Sequence, residues 1–313
     1  MTAATAPQAA GPRKVLYVAT IANLVIAASK FTAAALTGSS AMVAEGIHSV
    51  VDTGNELLLL LGNRRATRPA DQAHPFGYGK VLYFWGLIAA VWMFVLGGGT
   101  SVYKGVLDLL HPPPLGSALW NYAVLSVAAV FEAVSWWVSR KELFGRRLSR
   151  RTAWERVQAS KDPSVFMVFI EDSAALIGIG LAFAGVAVGH WLDNPYIDPA
   201  ASIAIGLLML AAAAVLARET GALLVGEGMD GRYIQEFERV LSEDPSVRWV
   251  GDIRTMQLSP ADVLLTAEIG FDIELDTRGV VDAIERLKRL VRTRHPTVTR
   301  MYFEPRSGAA EHA

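Results

Sequence analysis

The sequence predicts an α-helical membrane protein with six transmembrane helices, followed by a small cytoplasmic α+β domain. Three observations support this fold class. The 313 residues are 52% hydrophobic and only 19% charged, and the mean hydropathy of +0.32 is high for a soluble protein. Apolar stretches of about 20 residues, the length that crosses a bilayer, recur along the first 220 positions. From residue 227 onward the pattern becomes amphipathic, as in a soluble domain.

Six apolar segments are expected to form the transmembrane helices. The turn Gly38-Ser39-Ser40 separates the first two, and the proline run at 112–114 ends the third because proline cannot continue a helix. Three glycines at 97–99 are expected to allow close helix contact or a bend in the third segment. The approximate segments are 15–37, 41–62, 81–107, 117–139, 164–190 and 197–218.

The distribution of Lys and Arg predicts the orientation, because positively charged loops stay on the cytoplasmic side. The loops 63–80 and 140–163 are basic, whereas the other short loops carry no Lys or Arg. Both termini are therefore expected in the cytoplasm, as an even number of spans requires. The basic residues are Arg64, Arg65, Arg68 and Lys80 in the first loop, and Arg140, Lys141, Arg146, Arg147, Arg150, Arg151, Arg156 and Lys161 in the second.

The C-terminal part is predicted to follow the order α-β-β-α-β, which is that of a ferredoxin-like layer of helices on a sheet. A domain of this size is only marginally stable alone, so dimerisation is expected. The expected elements are a helix at 230–243, strands at 247–258 and 262–272, a helix capped by Thr277, and a strand at 298–303 closed by Pro305. The expected boundaries are a flexible N-terminus at 1–14, a transmembrane domain at 15–225, the cytoplasmic domain at 226–306 and a flexible tail at 307–313.

Composition excludes several classes of protein. There is no cysteine, which excludes disulfides, thiolate metal sites and cysteine nucleophiles. A metal ion must therefore be bound by histidine, carboxylate or backbone oxygen. Residues 227–313 carry 12 Lys and Arg against 16 Asp and Glu, a balance that argues against nucleic-acid binding.

Ionisable residues inside the predicted spans are the candidate functional residues, because each costs about 2.5–3.5 kcal/mol at the bilayer centre on insertion scales. His48 and Asp52 are four residues apart and therefore lie one turn apart on one face of the second segment. The other candidates are Asn55 and Glu56 on the second segment, Glu171 and Asp172 on the fifth, Glu132 on the fourth, and Asn23 and Lys30 on the first.

Imidazole and carboxylate groups on two facing helices would form a site for a divalent metal ion. Zn²⁺ would accept such a site in tetrahedral geometry, and Mn²⁺ or Fe²⁺ would accept it with more oxygen ligands. The alternative is that His48 and Asp52 are a polar pair that stabilises helix packing. Glu132 could likewise be structural, paired with Lys30 or Lys104.

Three motifs resemble the cation diffusion facilitator family. They are the run AEGIHSVVD from Ala44 to Asp52, the loop HPFGYGK from His74 to Lys80, and the run EDSAA from Glu171 to Ala175. The last of these, together with Asp52-Thr53-Gly54-Asn55, is most similar to the zinc transporter nine branch of that family. The resemblance covers nearly the whole chain.

The resemblance implies a transport site formed by His48, Asp52 and Asp172. The remaining family ligand, four residues before Asp172, corresponds to Val168, which cannot bind a metal ion. Glu171 is expected to substitute for it, although it points about 100° away from Asp172 on an ideal helix.

The resemblance also implies a second site, on the 63–80 loop, from Asp71, His74 and the position now filled by Tyr78. The tyrosine leaves that site incomplete, and His74 could instead cap the third helix. Glu132 and Glu56 remain candidates for the ion pathway. In the C-terminal domain the family's metal-binding positions correspond to Gly251, Ala267 and Tyr302, which predicts a domain without a binuclear metal site, and His295 is expected to be solvated.

As a member of this family, the protein would export a divalent cation from the cytoplasm in exchange for protons. Zinc is the first choice, with Mn²⁺, Fe²⁺ and Co²⁺ as alternatives, and neither a catalytic residue nor a bound cofactor is expected. His48 and the carboxylates bind metal only when deprotonated, so protonation would release the ion. Two other classes remain open: a membrane metalloenzyme that activates water, and a metal-binding regulator that does not transport.

The expected partners are the metal ion, protons, the lipid bilayer and a second copy of the chain. The homodimer would form through the C-terminal domain and the membrane helices. Arg outnumbers Lys 22 to 7, which we interpret as indicating a bacterial inner membrane.

Overall fold

The computed structural model describes residues 11–113, 117–144 and 152–306, with residues 11–22 and 153 described as backbone. Several sequence predictions concern residues outside these ranges. They are most of the N-terminal segment 1–14, Pro114, the basic residues Arg146, Arg147, Arg150 and Arg151, and the tail at 307–313.

Long helices make up most of the chain, and a short helix, α5, lies between two of them at Ala153–Ala159. Among the described residues, four helices are long and apolar enough to cross a membrane, namely Val81–Leu110, Ala118–Phe144, Pro163–Trp191 and Ile197–Val225. The protein is therefore an integral membrane protein, as predicted, and the count of six spans stays a prediction. The long helices are α1 Gly11–Thr37, α2 Ser40–Ala66, α3 Val81–Leu110, α4 Ala118–Phe144, α6 Pro163–Trp191 and α7 Ile197–Val225.

Most of these helices extend beyond the apolar segments that predicted them. The helix α2 continues to Ala66 and carries Arg64 and Arg65 in its last turn, where positive charge interacts favourably with the helix dipole. The helix α4 continues to Phe144. Hydropathy marks the part of a helix that lies in hydrocarbon, whereas the backbone hydrogen bonds continue into the polar region.

The glycines at 97–99 lie in a π-helical segment and at a close helix contact. They end a π-helical turn, Met93–Gly99, within α3. A Cβ atom on Gly98 would lie 2.5 Å from Leu210 Cγ and 2.9 Å from the carbonyl oxygen of Gly206 on α7. The backbones of α3 and α7 are therefore in direct contact, as small residues allow in membrane helix pairs.

The chain divides into two compact units. The first comprises residues 1–61, 86–147 and 164–217, and its core contains many alanines that let the helices approach closely. The second comprises residues 62–85, 148–163 and 218–313. Core residues of the first unit include Ile26, Ala33, Met42, Ala44, Leu125, Ala128, Ile179, Ala182 and Ile205.

The second unit contains the α-β-β-α-β domain that the sequence predicts. Its sheet has the order β1-β2-β3, with β1 and β2 antiparallel and β2 and β3 parallel. Apolar side chains of both helices and the sheet form its core, including Phe237, Val240, Leu265, Ile269, Leu287, Val291 and Val298. The elements are α8 Gly231–Leu241, β1 Val247–Ser259, β2 Asp262–Phe271, α9 Thr277–Arg294 and β3 Val298–Arg306.

Three local predictions for this domain are wrong. The N-cap of α9 is Asp276, whose carboxylate accepts a 2.7 Å hydrogen bond from the N–H of Gly279, and Thr277 is the first helical residue. Pro305 does not close β3 but pairs with Ile269 within it, because an edge strand can accommodate a residue without an N–H. His295 is buried rather than solvated, and its Nε2 lies 3.2 Å from Glu236 Oε1.

Candidate metal site

His48, Asp52 and Asn55 share one face of α2. They occupy positions i, i+4 and i+7, so their Cα atoms lie within about 60° of one another around the helix axis. His48 and Asn55 are buried, and the side chain of Asp52 is only 14% exposed. His48 Nε2 lies 3.1 Å from Asp52 Oδ2, so the two side chains meet as their spacing predicts.

Unpaired polar atoms mark this face of α2. His48 Nε2, Asp52 Oδ1 and Asn55 Oδ1 are buried and have no hydrogen-bond partner within the described residues. The His48–Asp52 contact is close, but it lacks the geometry of a hydrogen bond. Because buried polar atoms in proteins are almost always paired, a cluster of unpaired ones calls for an explanation such as an ion or a ligand.

Glu171 and Asp172 on α6 contact different neighbouring helices. Glu171 Oε1 accepts a 2.7 Å hydrogen bond from the amide nitrogen of Asn55 on α2. Asp172 Oδ2 accepts hydrogen bonds from Ser135 and Ser139 on α4, at 2.9 and 3.0 Å. This divergence follows from the angle of about 100° between adjacent residues of a helix. Asp52 nevertheless lies within electrostatic range of both acids.

The two serines that bond Asp172 were not among the candidate residues predicted from the sequence. Ser135 and Ser139 are four residues apart on α4, the same spacing that identified His48 and Asp52. That spacing was the available signal, but hydroxyl groups are common in membrane helices and do not stand out as charges do. Trp136 lies between them and donates a 2.9 Å hydrogen bond to Ser173 Oγ, which adds a second polar link between α4 and α6.

Glu132 does not form the ion pairs considered for it. Lys30 Nζ instead lies 3.0 Å from Glu45 Oε2 and 2.8 Å from Ser49 Oγ, because both groups face it from α2. Lys104 pairs with Asp108, one turn away on α3. Glu132 is half-buried on α4, within electrostatic range of Lys30 and Asp172.

Glu56 accepts a hydrogen bond from a side chain of α1. The side-chain amide of Asn23 donates a 2.9 Å hydrogen bond to Glu56 Oε1. Glu56 and Asp172 lie within electrostatic range of each other. The acid therefore belongs to the polar interior of the first unit, next to the helices that carry the other candidates.

The predicted loop site is an exposed hydrogen-bonded cluster. Asp71 accepts 2.7 Å hydrogen bonds from the Tyr78 hydroxyl and from the backbone N–H of His74. The Tyr78 hydrogen bond and then the His74 N–H hold the pKa of Asp71 below its usual range, and the same carboxylate raises the pKa of Tyr78. His74 does not cap α3, whose first residue, Val81, donates its N–H to the carbonyl of Tyr78.

The candidate residues are brought together in pairs. His48 meets Asp52, and Asn55 joins α2 to Glu171. Across the part of the chain that the structure describes, no group of three or more His, Asp and Glu side chains has the arrangement of a metal site. The first unit therefore offers two kinds of metal ligand, which are the unpaired nitrogen and oxygen atoms on α2 and the two carboxylates on α6.

Known proteins are similar in sequence to this chain over most of its length. The cation efflux transmembrane domain, as a family, matches residues 16–225. The mouse protein named proton-coupled zinc antiporter SLC30A9, mitochondrial, is 34% identical over 273 residues, which cover 87% of this chain and 48% of the relative. The manganese efflux system protein MneP of Bacillus subtilis is 26% identical over 86% of this chain and 90% of its own length. The chain spans about half the length of the zinc antiporters it matches.

Proposed function

The chain belongs to the cation efflux family, that of the cation diffusion facilitators, in the zinc transporter nine branch, and from this premise we propose that it exchanges a divalent metal ion, zinc first, for protons across a membrane. The observation that carries the proposal is the buried face of α2, where His48 Nε2 and Asp52 Oδ1 have no hydrogen-bond partner among the described residues. The ligands proposed for the cargo ion are His48, Asp52, Glu171 and Asp172.

The ligand chemistry supports exchange with protons. A neutral imidazole and ionised carboxylates can bind a metal ion, whereas the same groups lose their affinity for it when protonated. Two protons carry the same charge as one divalent ion, so the exchange keeps the charge of this buried region balanced. Lys30 already has Glu45 as its partner at 3.0 Å, which leaves the other acids for the ion and the protons.

Zinc is proposed first because the ligand set includes an imidazole, which Zn²⁺ accepts well in tetrahedral geometry. The carboxylates also suit Mn²⁺, which prefers oxygen ligands. The names of the relatives include both metals, a zinc antiporter and a manganese efflux protein. Zinc uptake faster than manganese uptake in the same vesicles would support the first choice.

The location and the assembly belong to the same proposal. We propose that both termini lie in the cytoplasm and that the chain forms a homodimer through its C-terminal domain and membrane helices. The bacterial inner membrane stays a prediction, since the relatives include mitochondrial proteins as well as a protein of Bacillus subtilis.

Zinc uptake into proteoliposomes under an imposed pH gradient tests the proposal. The double variant His48→Ala/Asp52→Ala is expected to take up zinc no faster than protein-free vesicles. The matched control is Asp71→Ala/His74→Ala, which removes the same two residue types from the exposed loop and is expected to keep at least half of the uptake. Wild-type uptake by the first double variant would overturn the proposal.

A further inference from the structure

His48, Asp52 and Asn55 form a polar stripe along one face of α2, and the side chain of Asn55 bonds directly to a carboxylate of α6. Its amide group lies 2.7 Å from Glu171 Oε1. The structure has the NH₂ nitrogen donating to this oxygen, which is the orientation that an ionised carboxylate requires because it only accepts hydrogen bonds. The amide oxygen is consequently the atom that remains buried without a partner within the described residues.

This arrangement differs from that of an amide that only joins two helices. Asn121 on α4 is also buried, and its Oδ1 accepts a 2.9 Å hydrogen bond from Thr37 on α1. The amide oxygen of Asn121 is therefore satisfied, whereas that of Asn55 is not, although leaving such a group unpaired is costly. Asn55 also lies on the face of α2 that carries His48 and Asp52.

The position of Asn55 accounts for a departure from the family pattern. Val168 stands where the fifth apolar segment should supply a ligand, and Glu171 points about 100° away from Asp172 around the axis of α6. The hydrogen bond from Asn55 links the Glu171 carboxylate to α2, the helix that carries the unpaired atoms of Asp52 and Asn55.

We propose that Asn55 is a positioning residue of the ion site, which holds the Glu171 carboxylate in place to bind the cargo ion. This inference rests on the proposed function. Residues that orient a metal ligand through a hydrogen bond typically change metal affinity when they are removed.

Zinc uptake kinetics in proteoliposomes test this role. Asn55→Ala is expected to raise KM for zinc about tenfold, the lower end of the usual effect of removing such a partner, with kcat within about twofold. In a Glu171→Gln background the same substitution is expected to add nothing further, because Asn55 acts through Glu171. Asn55→Gln, which keeps the amide, is expected to recover part of the lost affinity.

Asn121→Ala is the matched control, because it removes a buried interhelical amide away from the stripe, and its KM is expected to match that of the wild type. Asn55→Ser, which is too short to reach Glu171, replaces Asn55→Ala if that variant fails to fold. A wild-type KM for Asn55→Ala, or an equal rise in the Glu171→Gln background, would overturn the inference. The Asp52→Ala variant distinguishes failure of the proposed function from failure of this inference. Normal zinc transport by Asp52→Ala would overturn the proposed function. Loss of transport in Asp52→Ala, together with a wild-type KM for Asn55→Ala, would overturn only the role of Asn55.

Discussion

At the scale of single residues, the first unit neutralises a buried positive charge with a partner from a facing helix. Lys30 is completely buried, and Glu45 and Ser49 of α2 supply its hydrogen-bond acceptors. A buried charge that loses its only ionic partner is strongly destabilising, whereas an exposed pair contributes little. The stability of the helix pair α1–α2 should therefore depend on Lys30 and Glu45 together.

Lys30→Met is expected to lower the free energy of unfolding by about 3–5 kcal/mol, because it leaves Glu45 buried without its partner. Adding Glu45→Met is expected to recover most of that loss. Thermal unfolding of the detergent-solubilised protein measures both. The control is Arg254→Ala in the exposed Arg254–Asp252 pair, expected to change stability by no more than about 0.5 kcal/mol. A loss from Lys30→Met as small as that of the control would contradict the account.

Asp244, just before β1, gives the second unit a predictable response to pH. Burial works to raise the pKa of Asp244, but hydrogen bonds from Arg286 and Ser246 outweigh it and leave the pKa below its usual value. Stabilisation by this pair is therefore complete above the unfolded pKa of about 3.9 and is lost as the pH falls through the lower, folded pKa.

Hydrogen exchange of the α9 and β1 amides measures this effect. Arg286→Ala is expected to reduce their protection between about pH 5 and 8, and the difference from the wild type should shrink as the pH falls below the unfolded pKa of about 3.9 and through the lower, folded pKa of Asp244. A difference that grows on acidification would mean that another group carries the stabilisation.

Spacing along one helix was predictable at this scale, whereas contacts between helices were not. The period of 3.6 residues placed His48 and Asp52 on one face, and the structure has them in contact. The bond between Asn55 and Glu171 depends on how two helices are rotated relative to each other, which no local pattern encodes. His295 was wrongly expected in solvent because it precedes a proline, but its ring packs edge-on against Tyr233 and Phe237.

At the scale of elements, the close contact between α3 and α7 in the first unit depends on glycine. A Cβ atom on Gly206 would lie 2.7 Å from the backbone nitrogen of Val102 and 3.0 Å from the carbonyl oxygen of Gly98. Backbone atoms cannot move aside as the end of a side chain can. The pairing of α3 and α7 therefore requires a residue without a side chain at this position.

Gly206→Leu is expected to destabilise the protein by about 1–3 kcal/mol, as overpacking of a close contact does. The unfolding temperature in detergent measures this effect. Gly180→Leu on α6 is the matched control, because a Cβ placed there would meet no described atom within 4 Å apart from its chain neighbours and the backbone of its own helix. Equal unfolding temperatures for the two variants would contradict the close packing of α3 against α7.

The loop between α2 and α3 is attached to the C-terminal domain within the second unit. Arg300 Nη2 on β3 donates a 3.2 Å hydrogen bond to the carbonyl of Phe76, and its guanidinium lies 5.3 Å from the centre of the Phe76 ring. Lys80 Nζ lies 3.4 Å from Met256 Sδ on β1. This attachment was not predictable from local patterns, because the two segments are more than 150 residues apart.

Arg300→Ala is expected to speed hydrogen exchange of the 67–80 loop about fivefold, which corresponds to about 1 kcal/mol for a hydrogen bond and a cation–π contact near the surface. Exchange followed by mass spectrometry on the full chain measures it. Arg278→Ala, at an exposed position early in α9, is the control and should leave the loop unchanged. An unchanged loop in Arg300→Ala would show that other contacts hold it.

At the scale of the whole molecule, family membership and the buried polar face of α2 support one function. Apolar periodicity predicted the fold class, since long apolar helices and the α-β-β-α-β domain are both present. Helix ends were less predictable, because they depend on capping and polar contacts beyond the hydrocarbon. The central claim is that a single buried region of the first unit binds either a divalent ion or protons.

Simultaneous recording of zinc and proton movement in one population of vesicles tests this claim most directly. Zinc is added outside vesicles that contain the full chain and a pH-sensitive dye, with no imposed pH gradient. We predict that zinc enters while the lumen becomes alkaline in proportion, and that both signals disappear in His48→Ala/Asp52→Ala. Zinc entry without alkalinisation, or alkalinisation that persists in the double variant, would contradict the account.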